Sequence, residues 1–295
     1  MRSFVLMTGV FKAALLFGVA GISSGALAQG AGVLKPWPAD PAAGIPAPWK
    51  AQYHPDIAAQ TQFKLLKQGN QTVLQAEADM AYGSLVYAFA KPTVLNTLTW
   101  QWQILTQPTK ANLQTKAGDD AGAKVCAFIQ IDEGKLGLGT RLALAAARTV
   151  SGERLPAATL CYVWGSPGEK VGQVFDNPYT DRVKNIVIRD AASASGLISE
   201  NRDLQADARK AFGKELPEGP VMFTAIALGA DSDNTKSKAK ALFGIYVQAT
   251  MFINDAALNA CWLSGVRLDR TIGLYAPASV GQGWTLTPLR PTGAI

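Results

Sequence analysis

The chain has 295 residues, 48% of them hydrophobic and 17% charged, with a formal charge of +6. That length suits one large domain with a sizeable core. The basic residues are scattered, with neither a basic stripe nor a recognised nucleic-acid-binding module, which excludes nucleic acid as an expected partner.

Residues 1–28 read as a secretory signal peptide. Arg2 and Lys12 form the positive flank, 13–22 is an apolar run, and Ala26-Leu27-Ala28 is a small-x-small cleavage site. The run is shorter than the roughly 20 apolar residues of a membrane span. Cleavage near Ala28 removes two positive charges, taking +6 to +4. The expectation is a periplasmic or secreted protein with no transmembrane segment in the mature chain. Residues 29–50 form a proline-rich leader, and Trp37 and Trp49 within it suggest docking onto the domain.

From Phe63 onward, short strands alternate with turns. Residues 72–78 place Leu74, Ala76 and Ala78 on one face, and 84–89 place Leu85, Tyr87 and Phe89 on one face. Residues 98–104 are the clearest case: Leu98, Trp100, Trp102 and Ile104 share one side, and Thr99, Gln101 and Gln103 the other. Residues 124–131 are apolar on both faces, as a central strand would be. A short helix is expected over 141–148, strands over 159–164 and 183–189, and a helix over 201–212 closed by Gly213. A buried strand over 221–228, a polar turn over 231–235 and a long strand over 243–253 complete the domain, assigned to 51–254. Residues 255–295 form a C-terminal extension. The pattern predicts an all-β, mainly antiparallel β-sandwich or jelly roll with one or two short inserted helices.

An ordered set of motifs runs through this frame: Leu98-Thr99-Trp100-Gln101-Trp102, Gly118-Asp119-Asp120 with Lys124-Val125, and Leu160-Cys161-Tyr162-Val163-Trp164. Asn177-Pro178-Tyr179-Thr180, Glu200-Asn201-Arg202-Asp203, Ala211-Phe212-Gly213 and Asp231-Ser232-Asp233-Asn234-Thr235 follow. Over about residues 49–247 this set resembles a family of bacterial exported proteins, the domain of unknown function numbered 3047. The resemblance implies a compact β-sandwich and brings no activity with it. Lys124 stands where the family usually has arginine, which removes the bidentate carboxylate clamp from the expectation. The segment after Asn254 is longer than the family's.

Three cysteines, Cys126, Cys161 and Cys261, belong to an oxidising compartment. Cys126 and Cys161 lie in strand-like runs that can bridge, yet the odd count favours buried free cysteines acting as small hydrophobes.

The apolar face-mates of Trp100 and Trp102 favour core packing over a ligand platform. Trp164, preceding Gly165, is the better candidate platform. Other ligand-binding candidates are Asp119, Asp120, Asn177, Tyr179 and Arg202. For Arg202, ion pairing with Glu200 or Asp203 is the competing structural role. Asp231, Asp233 and Asn234 are candidate metal ligands, with calcium the one cofactor considered. Capping of their own turn is the preferred alternative.

The single histidine, His54, precedes Pro55 in an irregular region, a poor place for a catalytic base, and it rules out a histidine-rich zinc site. No phosphate loop or dinucleotide fingerprint occurs. The reading reached is an exported, non-catalytic binding protein for a carbohydrate or another polar envelope ligand. Two alternatives stand beside it. One is an accessory envelope protein acting through protein contacts of its terminal arms. The other is a carboxylate-dependent glycosidase or lyase using a pair such as Asp119 and Glu200. What decides is whether Asp119, Asp120, Asp231, Asp233 and Arg202 gather in one concavity.

Overall fold

The structure, a computed structural model, describes residues 34–151, 156–193 and 196–245. The expected signal peptide, leader residues 29–33, residues 246–253 of the last expected strand, and the C-terminal extension with Cys261 lie outside the described residues.

Two sheets form the domain. The first has seven strands in the spatial order β1 (Trp49–Gln52), β4 (Ser84–Val94), β11 (Met222–Gly229), β6 (Lys124–Ile129), β7 (Ala158–Trp164), β9 (Thr180–Arg189) and β8 (Val174–Asn177). The second has five, β10 (Ile198–Asp203), β5 (Thr97–Thr106), β12 (Lys238–Ile245), β3 (Gln71–Asp79) and β2 (Gln62–Gln68). Strands pair antiparallel except β7 with β9. That exception arises because β8 and β9 form a hairpin with β8 outermost, so the chain returns beside β7 in the same direction. The all-β, mainly antiparallel sandwich expected from sequence is the fold observed.

The core lies between the sheets. From β5, Trp100 and Trp102 point inward and are fully buried, against Tyr162 and Trp164 of β7 at ring separations of 5.3 and 5.4 Å. Burying an indole removes roughly 200 Å² from water, a driving force of roughly 5 kcal/mol each at about 25 cal/mol/Å². The outward residues of β5 bond sideways instead. Gln101 accepts from Gln71 and donates to Ser199, and Gln103 accepts from Gln68. Period two in the sequence thus becomes two chemically distinct faces.

The seven-stranded sheet differs, because its outer face is apolar too. Val86, Cys126, Cys161, Val163, Val187, Ala225 and Ala227 form a second buried cluster there. This is why 124–131 reads as apolar on both sides: Val125, Ala127 and Ile129 serve the inter-sheet core, Cys126 and Phe128 the outer face.

Within that outer cluster Cys126 and Cys161 form a disulfide, which corrects the free-cysteine reading. The two residues are direct partners across β6 and β7, with Cα atoms 4.0 Å apart. An odd cysteine count hides such a pair, whereas strand register brings the two together.

The leader docks. Trp37 donates its indole N–H to the carbonyl of Phe243 at 3.0 Å and stacks on Trp49, which meets Tyr87 edge-on. The helix expected over 141–148 is longer, α1 (Leu138–Ser151), and the one expected over 201–212 is shorter, α2 (Leu204–Phe212). The first three residues of that span finish β10, where Glu200 faces Trp100 and Arg202 faces Leu98. Asp203 then caps α2 by accepting from the Ala206 amide, and Gly213 closes it at φ +53°.

Candidate functional site

Three connections meet at one end of the outer face of the seven-stranded sheet. Residues 107–123, between β5 and β6, bring Asp119 and Asp120. The turn between β11 and β12 brings Asp231, Asp233 and Asn234, and the β8–β9 turn brings Asn177 and Tyr179.

Asp120 is fully buried and holds the junction together. Its Oδ1 accepts from the Asn234 amide at 3.1 Å, and its Oδ2 from the Thr235 amide and hydroxyl at 2.7 and 2.5 Å. Turn capping is therefore real, but the cap comes from a distant loop. Asn234 donates its side-chain amide to the Asp119 carbonyl and accepts from the Tyr179 hydroxyl at 2.9 Å. Asn177 is the clasp on the other side, donating Nδ2 to Asp119 Oδ2 at 2.6 Å while its own Oδ1 takes the Tyr179 amide. Asp120, Asn177 and Asn234 thus position Asp119 and Tyr179.

Lys124, at the start of β6, sits in the middle of these acids. Its Nζ lies 2.5 Å from Asp231 Oδ2, and Asp231 Oδ1 accepts from the Ala121 amide. Burial alone would disfavour the ammonium, but Asp231 and Tyr82 outweigh it and hold Lys124 above its ordinary range. The same ammonium lies 5.1 Å over the ring of Tyr82. The chain makes room for it at Gly229, its partner across the sheet: a Cβ there would come within 3.1 Å of Lys124 Cε and of the Gly83 carbonyl. Of this group, sequence reasoning noticed Lys124 only as a departure from arginine, and missed Tyr82. A strand-initial lysine whose cross-strand partner, Gly229, lies two residues before a turn acid carries no recognisable spacing.

Beside this ion pair Asp119 is strained electrostatically. Burial first, and then the Asp231 charge, push its carboxyl up to about 6, against the pull of the Asn177 hydrogen bond. Asp233 is raised for the same two reasons, burial and the neighbouring Asp231. It is 9% exposed, and its Oδ1 has no hydrogen-bond partner.

These groups form the polar end of a groove of 880 Å³. Its floor is the outer apolar cluster, including the Cys126–Cys161 disulfide, Val163 and Ala227. One wall is α1, through Thr140, Ala143 and Ala147, which lie on one helix face at spacings of three and four. His54, set aside as a catalytic base, stands on the rim.

Two sequence candidates lie elsewhere. Trp164 is no platform: it is 3% exposed in the inter-sheet core, and its indole N–H donates to the Asp190 carbonyl. The alternation of β7 decides this, because Leu160, Tyr162 and Trp164 all face the opposite sheet. Arg202 does pin the helix to its sheet, through Asp207 of α2, which it grips at 2.9 and 3.0 Å, and not through Glu200 or Asp203. Glu200 instead accepts from Trp102 Nε1 and pairs with Arg189. With Glu200 absorbed there, the suggested Asp119–Glu200 catalytic pair does not share the groove lining.

For a metal, Asp120, Asp231 and Asp233 each offer an oxygen within 4.8 Å of the others, while Asn234 is occupied by Tyr179. A hard cation such as calcium takes six to eight oxygens. Here a lysine ammonium already sits on Asp231, and Asp120 is filled by Thr235 and Asn234. The donor set fits an internal ammonium better than a calcium ion.

The family model for proteins of unknown function designated DUF3047 matches residues 47–246. The chain belongs to this DUF3047 family. The matched span contains every residue of the site just described. No curated protein sequence matches significantly. Among solved structures, a meso-active thermo-stable cellulase derived from the Cel12A cellulase of Rhodothermus marinus is similar at a TM-score of 0.36 and 12% identity, over 70% of this chain and 99% of that one. Trichoderma harzianum endoglucanase 3, from family GH12, is similar at a TM-score of 0.34 and 9% identity, over 69% and 100%. Likeness at this level says nothing of activity.

Proposed function

We propose that this DUF3047 protein is a binding protein that holds a polar, hydroxyl-rich ligand such as a saccharide in the groove on its seven-stranded sheet. One observation carries the reading: Asp119 from one loop and Asp231 and Asp233 from another line one end of an 880 Å³ groove whose floor is apolar. Carboxylates and amides at that end supply acceptors and donors, and the floor supplies a surface for the less polar face of a sugar ring. The three tryptophans first considered as platforms are buried, so stacking on indole is no part of the proposal.

Work outside the cytoplasm belongs to the same proposal, supported by the Cys126–Cys161 disulfide and by the signal-like residues 1–28. Calorimetric titration of the purified protein with a glycan panel tests the groove. Binding that Asn177→Ala weakens about tenfold is expected, since loosening Asp119 removes about 1.4 kcal/mol of orientation. Binding indifferent to Asn177 and Asp119 substitutions contradicts it.

A carboxylate-dependent glycosidase or lyase is the second reading, favoured by one feature. An Asp119 carboxyl pushed up to about 6 can hold a proton near neutrality, as a general acid must. Its test is release of reducing ends or unsaturated products from the same panel. An activity that falls with an apparent pKa near 6 and is lost in Asp119→Asn supports it, and no turnover of any bound glycan removes it.

A further inference from the structure

We propose that the acid end of the groove seats the ammonium group of an amine-bearing saccharide. The inference rests on the groove being the ligand site and specifies what that site selects.

Charge and donors do not balance at this end. Four carboxylates, Asp119, Asp120, Asp231 and Asp233, crowd around one largely buried ammonium, and that ammonium is engaged by Asp231 at 2.5 Å. Asp120 is saturated by the amides of Asn234 and Thr235 and by the Thr235 hydroxyl. Asp119 takes one side-chain amide, from Asn177. Asp233 stands apart: nine-tenths buried, within 4.8 Å of the Asp120 and Asp231 oxygens, lining the groove, with an Oδ1 that nothing hydrogen-bonds. A buried acceptor left without a donor costs about 1–3 kcal/mol, more when it is charged.

The missing group is therefore a donor, and a positively charged one. An ammonium brings three N–H groups and one charge, so it supplies the donor that Asp233 Oδ1 lacks and offsets the repulsion among the acids around it. A neutral hydroxyl would fill Asp233 Oδ1 and leave the repulsion among the acids as it was. A calcium ion would have to displace Lys124 from Asp231 to gather enough oxygens. A guanidinium prefers the paired edge of one carboxylate, whereas the acceptors here come from two loops. Beyond the acid end, the disulfide, Val163 and Ala227 offer a surface for a ring rather than for further charge.

The discriminating pair of probes is a glucosamine hexasaccharide and its fully N-acetylated counterpart, alike in ring and length and differing in charge. Both are titrated calorimetrically into the full protein at about pH 6, where most of the free amines carry a proton. The expected result is at least tenfold tighter binding of the free-amine oligomer, about 1.4 kcal/mol of discrimination. Asp233→Asn should abolish that preference while the thermal midpoint stays or rises, and Asp119→Asn should reduce it. Equal affinity for the two oligomers overturns the ammonium inference and leaves the groove as a saccharide site. Binding of neither overturns both readings. Stabilisation by calcium that Asp233→Asn removes also overturns the inference, because the acids would then be a metal centre.

Discussion

At Asp119 two demands pull in opposite directions. Burial and the nearby acids Asp231 and Asp120 disfavour its charge against the pull of Asn177 and Lys124, yet a charge there is what the groove presents to a ligand. The carboxyl titrates near 3.8 in the unfolded chain and near 6 in the folded one, so between those values the folded state holds the extra proton. Stability therefore falls as pH rises through that window and is least burdened below about pH 4. Asp119→Asn should raise the unfolding free energy at pH 7 by up to about 3 kcal/mol and leave it nearly unchanged at pH 4, as read from urea denaturation. The same variant should bind ligand less well, the pattern of a functional residue held at a cost. Lys124 behaves in reverse. Lys124→Met strands the buried Asp231 carboxylate without its counter-ion, and a loss of roughly 3–5 kcal/mol is expected in the same assay.

Single elements explain which parts of this fold were legible in advance. In β5 the alternation of Leu98, Trp100 and Trp102 with Thr99, Gln101 and Gln103 mapped directly onto inside and outside, because one face meets the other sheet and one meets solvent. Trp102→Ala should accordingly cost about 3–5 kcal/mol by denaturation while leaving groove affinity unchanged, since the indole packs on the far side of the sheet. In β7 the same alternation is present, but Trp164 before Gly165 reads as an exposed strand end. Buried strands have no polar face to show which side meets the partner sheet. The Cys126–Cys161 bridge is only the less favoured alternative in the sequence for another reason: strand order within a sheet is a long-range fact, and β6 and β7 are separated by α1. Replacing both cysteines by alanine should lower stability by roughly 3–4 kcal/mol for a closed loop of this length, and reductant should do the same to the unaltered protein. Reductant leaving the denaturation midpoint in place would contradict the bridge.

Over the whole molecule, the site exists because the two sheets are unlike. The five-stranded sheet turns glutamines and threonines outward, and the seven-stranded sheet turns outward a second apolar layer. That layer is covered by loops and by α1 only in part, and what remains open is the groove. The acids at its end come from connections more than a hundred residues apart, joined by bonds such as Asp120 to Thr235. Each motif could be named from the sequence, Asp119-Asp120 and Asp231–Thr235 among them. Their convergence could not, because no local pattern encodes which loops share one edge of a sandwich. Arg202 illustrates the converse, an equally prominent motif residue that the fold uses to clamp α2.

The central claim is that ligand is held in the groove at the meeting of these three loops. It is tested most directly by mapping backbone amide shifts by NMR while the glucosamine hexasaccharide is added. The shifts should concentrate in residues 119–124, 177–180 and 231–235 and along the groove-facing side of α1. Shifts confined to the five-stranded sheet around Gln101 and Gln103, or to the surroundings of Arg202, would contradict it.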